Sequence, residues 1–193
     1  METRIERSNT ALVVIDLQKG IVGMPTAPHA APDVVANAAK LADACRALGI
    51  PVFLVRVATS PDGKDRLSPA VDGDGGWGRM QLPADWSEIV PAMGPKPGDF
   101  VVTKRQWGAF YGTELDLELR RRGIRTIILC GIATTIGVES TARFAYEYGY
   151  DQIFIEDASS DRDADGHARA FATTFPRMGR VRATADILAA LGR

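Results

Sequence analysis

Residues 127–148 carry the pattern richest in chemistry: an apolar strand, a turn of small residues at Gly131-Ile132-Ala133-Thr134-Thr135, then a helix whose start holds Gly137. A strand feeding a helix through such a turn aims backbone N–H groups and the positive end of the helix dipole at one point. That arrangement suits an anionic ligand or a developing oxyanion, and Gly137 brings no nucleophile to it. Asp16 directly follows the apolar run Leu12-Val13-Val14-Ile15, and Lys104 follows Val101-Val102-Thr103. In an open parallel α/β sheet, ligands bind beyond the carboxyl ends of the strands. The strand reading therefore places Asp16, Lys104 and the 131–137 turn at one rim. A carboxylate and an ammonium brought together there can pair, and burial makes their protonation sensitive to a ligand. A structural ion pair capping the sheet is the competing reading.

The elements that must position these groups follow from the hydrophobic pattern. Apolar β-rich runs alternate with helical patterns, which predicts βα units around a parallel sheet. Strands are expected at 11–15, 52–57, 100–103, 126–130 and 153–155, with a short one near Val181. Helices are expected at 32–48, closed by Gly49, at 113–122, ended by Gly123, at 135–148, ended by Gly149, and at 164–175 and 184–191. The stretch 58–98 breaks this regularity. It is rich in Gly, Pro and Asp and holds Trp77 and Trp86. Two tryptophans are costly to leave in water, so this stretch reads as a partly ordered cover over a pocket or a subunit neighbour, with a helical turn near Trp86. A mobile surface excursion is the alternative.

Three blocks carry a resemblance. Asp16-Leu17-Gln18, Lys104-Arg105-Gln106-Trp107-Gly108-Ala109-Phe110, and Gly131-Ile132-Ala133-Thr134-Thr135-Ile136-Gly137-Val138-Glu139-Ser140-Thr141-Ala142 resemble, in order and spacing, the signature blocks of the isochorismatase-like hydrolases of the cysteine hydrolase superfamily. The likeness runs over nearly the whole chain. It implies an α/β fold: a three-layer α/β/α sandwich with a mainly parallel six-stranded sheet, Rossmann-like, as a single domain over 1–193. It also implies a catalytic set at Asp16, Lys104 and the family's cysteine position, here Gly137. Oxyanion donors are implied at the backbone of Ala133 and Gly137, after a cis peptide at Ile132–Ala133. Gln18 is implied as a further substrate-binding residue, and Trp107 and Phe110 follow Lys104 as candidate pocket walls, with core or interface packing as their alternative.

Without a thiol at Gly137, no thioester can form there. The isochorismate-cleaving members of the family also carry glycine at this position. They cleave a vinyl ether, which needs a positioned acid and a water rather than a nucleophile. In that scheme Asp16 donates the proton, and Lys104 orients it and binds a substrate carboxylate. An ammonium beside Asp16 makes it a poorer acid, whereas an apolar pocket and an anionic substrate act the other way. Two alternatives stand beside this one: Asp16 activating a water that attacks an amide, with Ala133 and Gly137 as oxyanion donors, or a small-molecule binding protein that keeps the fold. The run Gly137-Val138-Glu139-Ser140-Thr141 resembles the cysteine-containing branch with one substitution. The resemblance further implies a small-molecule substrate and a homo-oligomer, a dimer or larger, in which 58–98 reaches a neighbour's pocket.

Other features read as structural. The net charge of −1 gives no field to attract nucleic acid or an anionic membrane. No apolar run reaches the roughly 18 residues that span a bilayer, and the charged start is not followed by a secretory pattern. Cys45 and Cys130 have no framework spacing, so a reducing cytoplasm is expected. Cys130 ends a buried strand and reads as an inert core residue. His29 and His167 lack a ligand pattern, and the Asp-x-His set of the nicotinamidase branch is missing, so neither metal nor cofactor is expected. Gly73, Gly75 and Gly78 match a dinucleotide fingerprint by accident, since no strand precedes them. Asp72 and Asp74 lack the closing Glu of a calcium loop. Arg120-Arg121-Arg122 reads as a solvated helix end. Arg79 and Arg105 are candidate partners for a substrate carboxylate.

Overall fold

Thr10–Ile15 is apolar at five consecutive positions, as a strand buried on both faces requires, and every residue of it is buried. A computed structural model describes residues 4–73 and 82–192 and builds the rest of the sheet around this strand, β1. The elements in chain order are α1 (Lys19–Val22), α2 (Ala31–Ala47), β2 (Val52–Val57), β3 (Phe100–Lys104), α3 (Leu115–Arg121) and β4 (Thr126–Ile132). A π-helical turn (Thr134–Val138) then leads into α4 (Glu139–Glu147). They are followed by β5 (Asp151–Ser160), α5 (Ala164–Arg169), β6 (Arg180–Arg182) and α6 (Thr184–Ala190).

The strand order is β3-β2-β1-β4-β5-β6, and every pair is parallel. This is the doubly wound order whose crevice opens where the chain reverses direction across the sheet, between β1 and β4. Side chains alternate between the two faces. Leu12, Val14, Leu54, Ile128 and Cys130 pack with α2 (Val34, Leu41) and α6 (Ile187). Ala11, Val13, Ile15, Val55 and Leu129 pack with α3 (Leu115, Leu119), α4 (Ala142, Ala145), Phe171 and Phe175. The three-layer α/β/α sandwich follows from those two apolar faces. Among the described residues no helix is long and apolar enough to cross a membrane.

Some expectations shift. Lys104 is the last residue of β3 rather than the first beyond it, and the 164–175 helix turns π-helical at Ala170–Thr174. β5 runs to Ser160, well past Ile155, because a register shift after Leu129 lets Ser159 and Ser160 pair with Gly131 and Ile132. Trp86 is 8% exposed and packs against Gly20, where a Cβ would lie 2.0 Å from its ring. Trp86 and Val90 of the long segment are therefore core of this chain, held by Gly20 N–H to Trp86 O and Val90 N–H to Leu17 O, and residues 84–87 form turns rather than a regular helix. Trp77, Arg79, Asp74, Gly75 and Gly78 lie outside the described residues.

Candidate functional site

The rim at the β1/β4 crevice is built by two departures from regular strand. Asp16 has φ +52°, the positive-φ residue other than glycine among those described. Aspartate tolerates this left-handed conformation better than most residues. The turn sends the chain off the sheet immediately after β1, with Asp16 N–H bound to Val55 O at 2.9 Å. Opposite, Gly131 has φ +125°, and a Cβ there would meet Ile15 O at 2.1 Å, so only glycine lets β4 approach β1 so closely. The Ile132–Ala133 peptide that follows is cis.

Lys104 reaches this corner from two strands away. β2 separates β3 from β1 by about 9–10 Å at ordinary strand spacing, a gap only a long side chain crosses. Its Nζ donates to Asp16 Oδ2 at 2.7 Å, Trp107 O at 2.8 Å and Gln106 O at 3.1 Å. An ammonium has three protons, and all three are committed. Lys104 therefore has no donor left for a substrate carboxylate, which corrects the role expected of it. It fixes Asp16 and folds the 104–107 turn instead. Both residues are buried, at 4% and 2% exposure.

Asp16 Oδ1 is buried and has no hydrogen-bond partner among the described residues. Burial pushes the Asp16 carboxyl above its ordinary range, against the opposing attraction and hydrogen bond of Lys104. The Val57 N–H pulls weakly the same way as Lys104, although its own hydrogen bond goes to Gln18 Oε1. Desolvation wins because Lys104 is equally enclosed and shares its charge with two carbonyls.

Gly137 completes the corner. A Cβ placed on it would lie 3.1 Å from Asp16 Oδ2 and 3.7 Å from Lys104 Nζ, so the three positions do converge. The same Cβ would lie only 2.8 Å from Ile15 Cγ2, a branch methyl on a buried strand. The room a side chain would need is thus filled by Ile15. The turn's donors are also largely engaged. Asp161 Oδ2 takes Thr135 N–H at 2.6 Å and Thr135 Oγ1 at 2.8 Å, and Ala133 O takes the N–H groups of Ile136 and Val138. Ala133 and Gly137 N–H lie outside these bonds. Thr141 Oγ1 ties the turn to the 104–110 block, donating to Gly137 O at 2.7 Å and accepting from Ala109 N–H at 3.1 Å.

Three other expected residues stand elsewhere. Gln18 is fully buried, with Nε2 on Val57 O (3.0 Å) and Trp86 O (3.2 Å) and Oε1 on Val57 N–H (2.8 Å). Every atom able to bind a ligand is engaged, so Gln18 clasps β2 to the Trp86 segment rather than substrate. Phe110 is 4% exposed and packs against Tyr148 and Tyr150 in the core behind the sheet. Trp107 is 59% exposed, and its backbone carbonyl accepts from Lys104. Arg105 is engaged with Asp65 and Ala58 O. Cys130 lies wholly inside, and burial pushes its thiol far up. Asp161, which anchors the turn, has no signal in the sequence beyond its place just after a strand with a polar tail.

A family model for the isochorismatase domain matches residues 10–186. The isochorismatase family protein YwoC of Bacillus subtilis is 52% identical over 184 residues, covering 95% of each chain. The ureidoacrylate amidohydrolase RutB of Agrobacterium fabrum is 31% identical, over 80% of this chain and 77% of its own length. An isochorismatase family protein from Burkholderia thailandensis superposes with a TM-score of 0.94 at 46% identity, covering both chains completely.

Proposed function

This chain belongs to the isochorismatase family of hydrolases, and on that premise we propose that it acts without a covalent thiol, Asp16 serving as a buried general acid on a vinyl ether such as isochorismate or a related small carboxylated substrate. The observation that carries the reading is the setting of the Asp16 carboxyl, enclosed and with one oxygen unpartnered. Oδ2 is held by Lys104, Oδ1 has no partner, and burial favours the protonated form. A carboxylic acid kept neutral by its surroundings can donate where an ionised one cannot. Asp16 protonates the terminal carbon of the enol ether, water adds to the resulting oxocarbenium carbon, and the hemiketal collapses to a keto acid and an alcohol. The water's proton restores Asp16. Ile15 against Gly137 fits this scheme, since nothing needs to attack from that position. Pyruvate release from isochorismate, followed in wild type and Asp16→Asn, tests the reading: release by the wild type that fails in the variant is expected, and no release by either removes it.

A second reading has its own support in the likeness to a ureidoacrylate amidohydrolase. Here Asp16 as base activates a water against an amide, with Ala133 and Gly137 N–H receiving the oxyanion. Ammonia release across a panel of small amides separates the two. An assembly of two or more copies belongs to the same proposal. Trp107, Tyr111, Phe144 and Tyr148 are all exposed, and Phe144 lies over Gly108 and against Tyr148, aromatic surface of the kind that marks an interface. Sedimentation velocity on the wild-type chain tests this, and a monomer at micromolar concentration overturns it.

A further inference from the structure

Next to Thr134 of the 133–138 turn, three side chains meet that the proposed hydrolysis does not use. His29, from the loop before α2, places Nε2 at 2.8 Å from Glu156 Oε1. His167, on α5, places its Nε2 at 3.0 Å from the same oxygen. The three candidate ligand atoms all lie within 4.8 Å of one another. Two imidazoles converging on one carboxylate oxygen is the donor set of a two-histidine, one-carboxylate metal site.

The surroundings fix this set from behind. His167 Nδ1 is 2.8 Å from Thr134 Oγ1, and that hydroxyl donates to Ser160 O at 3.1 Å. A hydroxyl has one proton, so with it given to Ser160 the Thr134 oxygen accepts from Nδ1–H. The network thus assigns the neutral ring its proton on Nδ1 and leaves the Nε2 lone pair facing a carboxylate oxygen. In that tautomer the Nε2 lone pair and the carboxylate oxygen face one common point, as two ligands of one ion do. An N–H directed away from the metal into a fixed acceptor is also how ligating histidines are oriented. The main chain of His29 is pinned as well: its carbonyl accepts from Ser160 Oγ at 2.7 Å and Thr26 Oγ1 at 2.8 Å. The rings stand edge to face with centroids 5.6 Å apart. Side-chain exposures of 32% for His29 and 38% for Glu156 leave one side open to water, while His167 at 2% closes the other.

We propose that His29, Glu156 and His167 bind a divalent first-row transition ion, with water completing the coordination on the open side. Metal bonds of about 2.0–2.1 Å ask the carboxylate oxygen to back away slightly from each imidazole. The ion would join the loop before α2, β5 and α5, and through Thr134 it would brace the turn that holds Gly137. The site stands apart from the proposed vinyl-ether chemistry and does not depend on it.

Tag-free full-length chain, stripped with chelator and titrated with ZnCl2 by calorimetry, tests the proposal. One equivalent should bind, and melting should rise by about 5 °C or more at a hundredfold excess over Kd. His29→Gln and Glu156→Gln, both at half-open positions, should each weaken binding at least tenfold. No saturable binding, or binding undiminished in both variants, overturns the proposal. If a variant fails to fold, Co2+ titration of the wild type decides: an intense visible spectrum of a four-coordinate ion supports the site, and the weak spectrum of the hydrated ion refutes it.

Discussion

Asp16 and Lys104 meet the 133–138 turn at Gly137, and the cluster of His29, Glu156 and His167 meets it at Thr134, yet the two differ in how their polar atoms are used. In the first, both side chains are almost fully enclosed, every ammonium proton is committed, and one carboxylate oxygen is left without a partner. In the second, two imidazoles share one oxygen and water reaches two of the three groups. An enclosed carboxyl with its counter-ion held by competing carbonyls is suited to keeping a proton. An open cluster is suited to exchanging a cation with solvent. The contrast shows that proximity of charges does not set their chemistry; the accounting of donors and acceptors around them does.

That contrast can be broken most forcefully at Asp16. Asp16→Asn removes the donor while keeping the shape, and turnover of the vinyl ether should fall about 10²–10⁴-fold, read by initial rates at saturating substrate. Next in size is the clasp beside it. Gln18→Ala leaves buried backbone groups of Val57 and Trp86 without partners and should cost about 2–5 kcal/mol in urea unfolding. Glu156→Gln in the open cluster should cost under about 1 kcal/mol in metal-free protein, because half-exposed pairs contribute little. Equal costs at the two sites would erase the distinction drawn between them.

A smaller effect tests whether the corner is filled. Gly137→Ala pushes a methyl onto Ile15 and should destabilise by about 1–3 kcal/mol. In an Ile15→Ala background the same change should cost much less, so a double-mutant cycle should show clear coupling. Additive costs would mean that Ile15 does not occupy the space. The smallest effect is on pH dependence. With its carboxyl raised in the folded state, Asp16 binds its proton more tightly folded than unfolded. Its contribution to stability is therefore full below the unfolded value of 3.8 and declines as pH rises toward the folded one. The stability difference between wild type and Asp16→Asn should shrink over that window, as measured by urea unfolding across pH.

The sheet was legible in the sequence because β1, β2 and β4 are unbroken apolar runs that only a two-faced burial explains. The convergence of Asp16, Lys104 and Gly137 followed from strand ends alone. What was hidden depended on where protons go. No spacing reveals that carbonyls of Gln106 and Trp107 take two of the three Lys104 donors, or that Gln18 turns toward Trp86. The apolar pattern of β5 ends at Ile155, where Glu156 and Asp157 follow, although β4 carries the pairing onward to Ser160. The second cluster was hidden for another reason: His29 and His167 stand 127 and 11 residues from Glu156, so no local spacing joins them.

The raised Asp16 carboxyl carries the account, and its titration can be observed directly. Carbon-13 NMR of the aspartate carboxyl groups across pH, with the Asp16 signal assigned by its loss in Asp16→Asn, should show one carboxyl titrating clearly above 3.8. An Asp16 signal titrating at or below that value would mean that Lys104 holds it ionised and that it cannot be the proton donor.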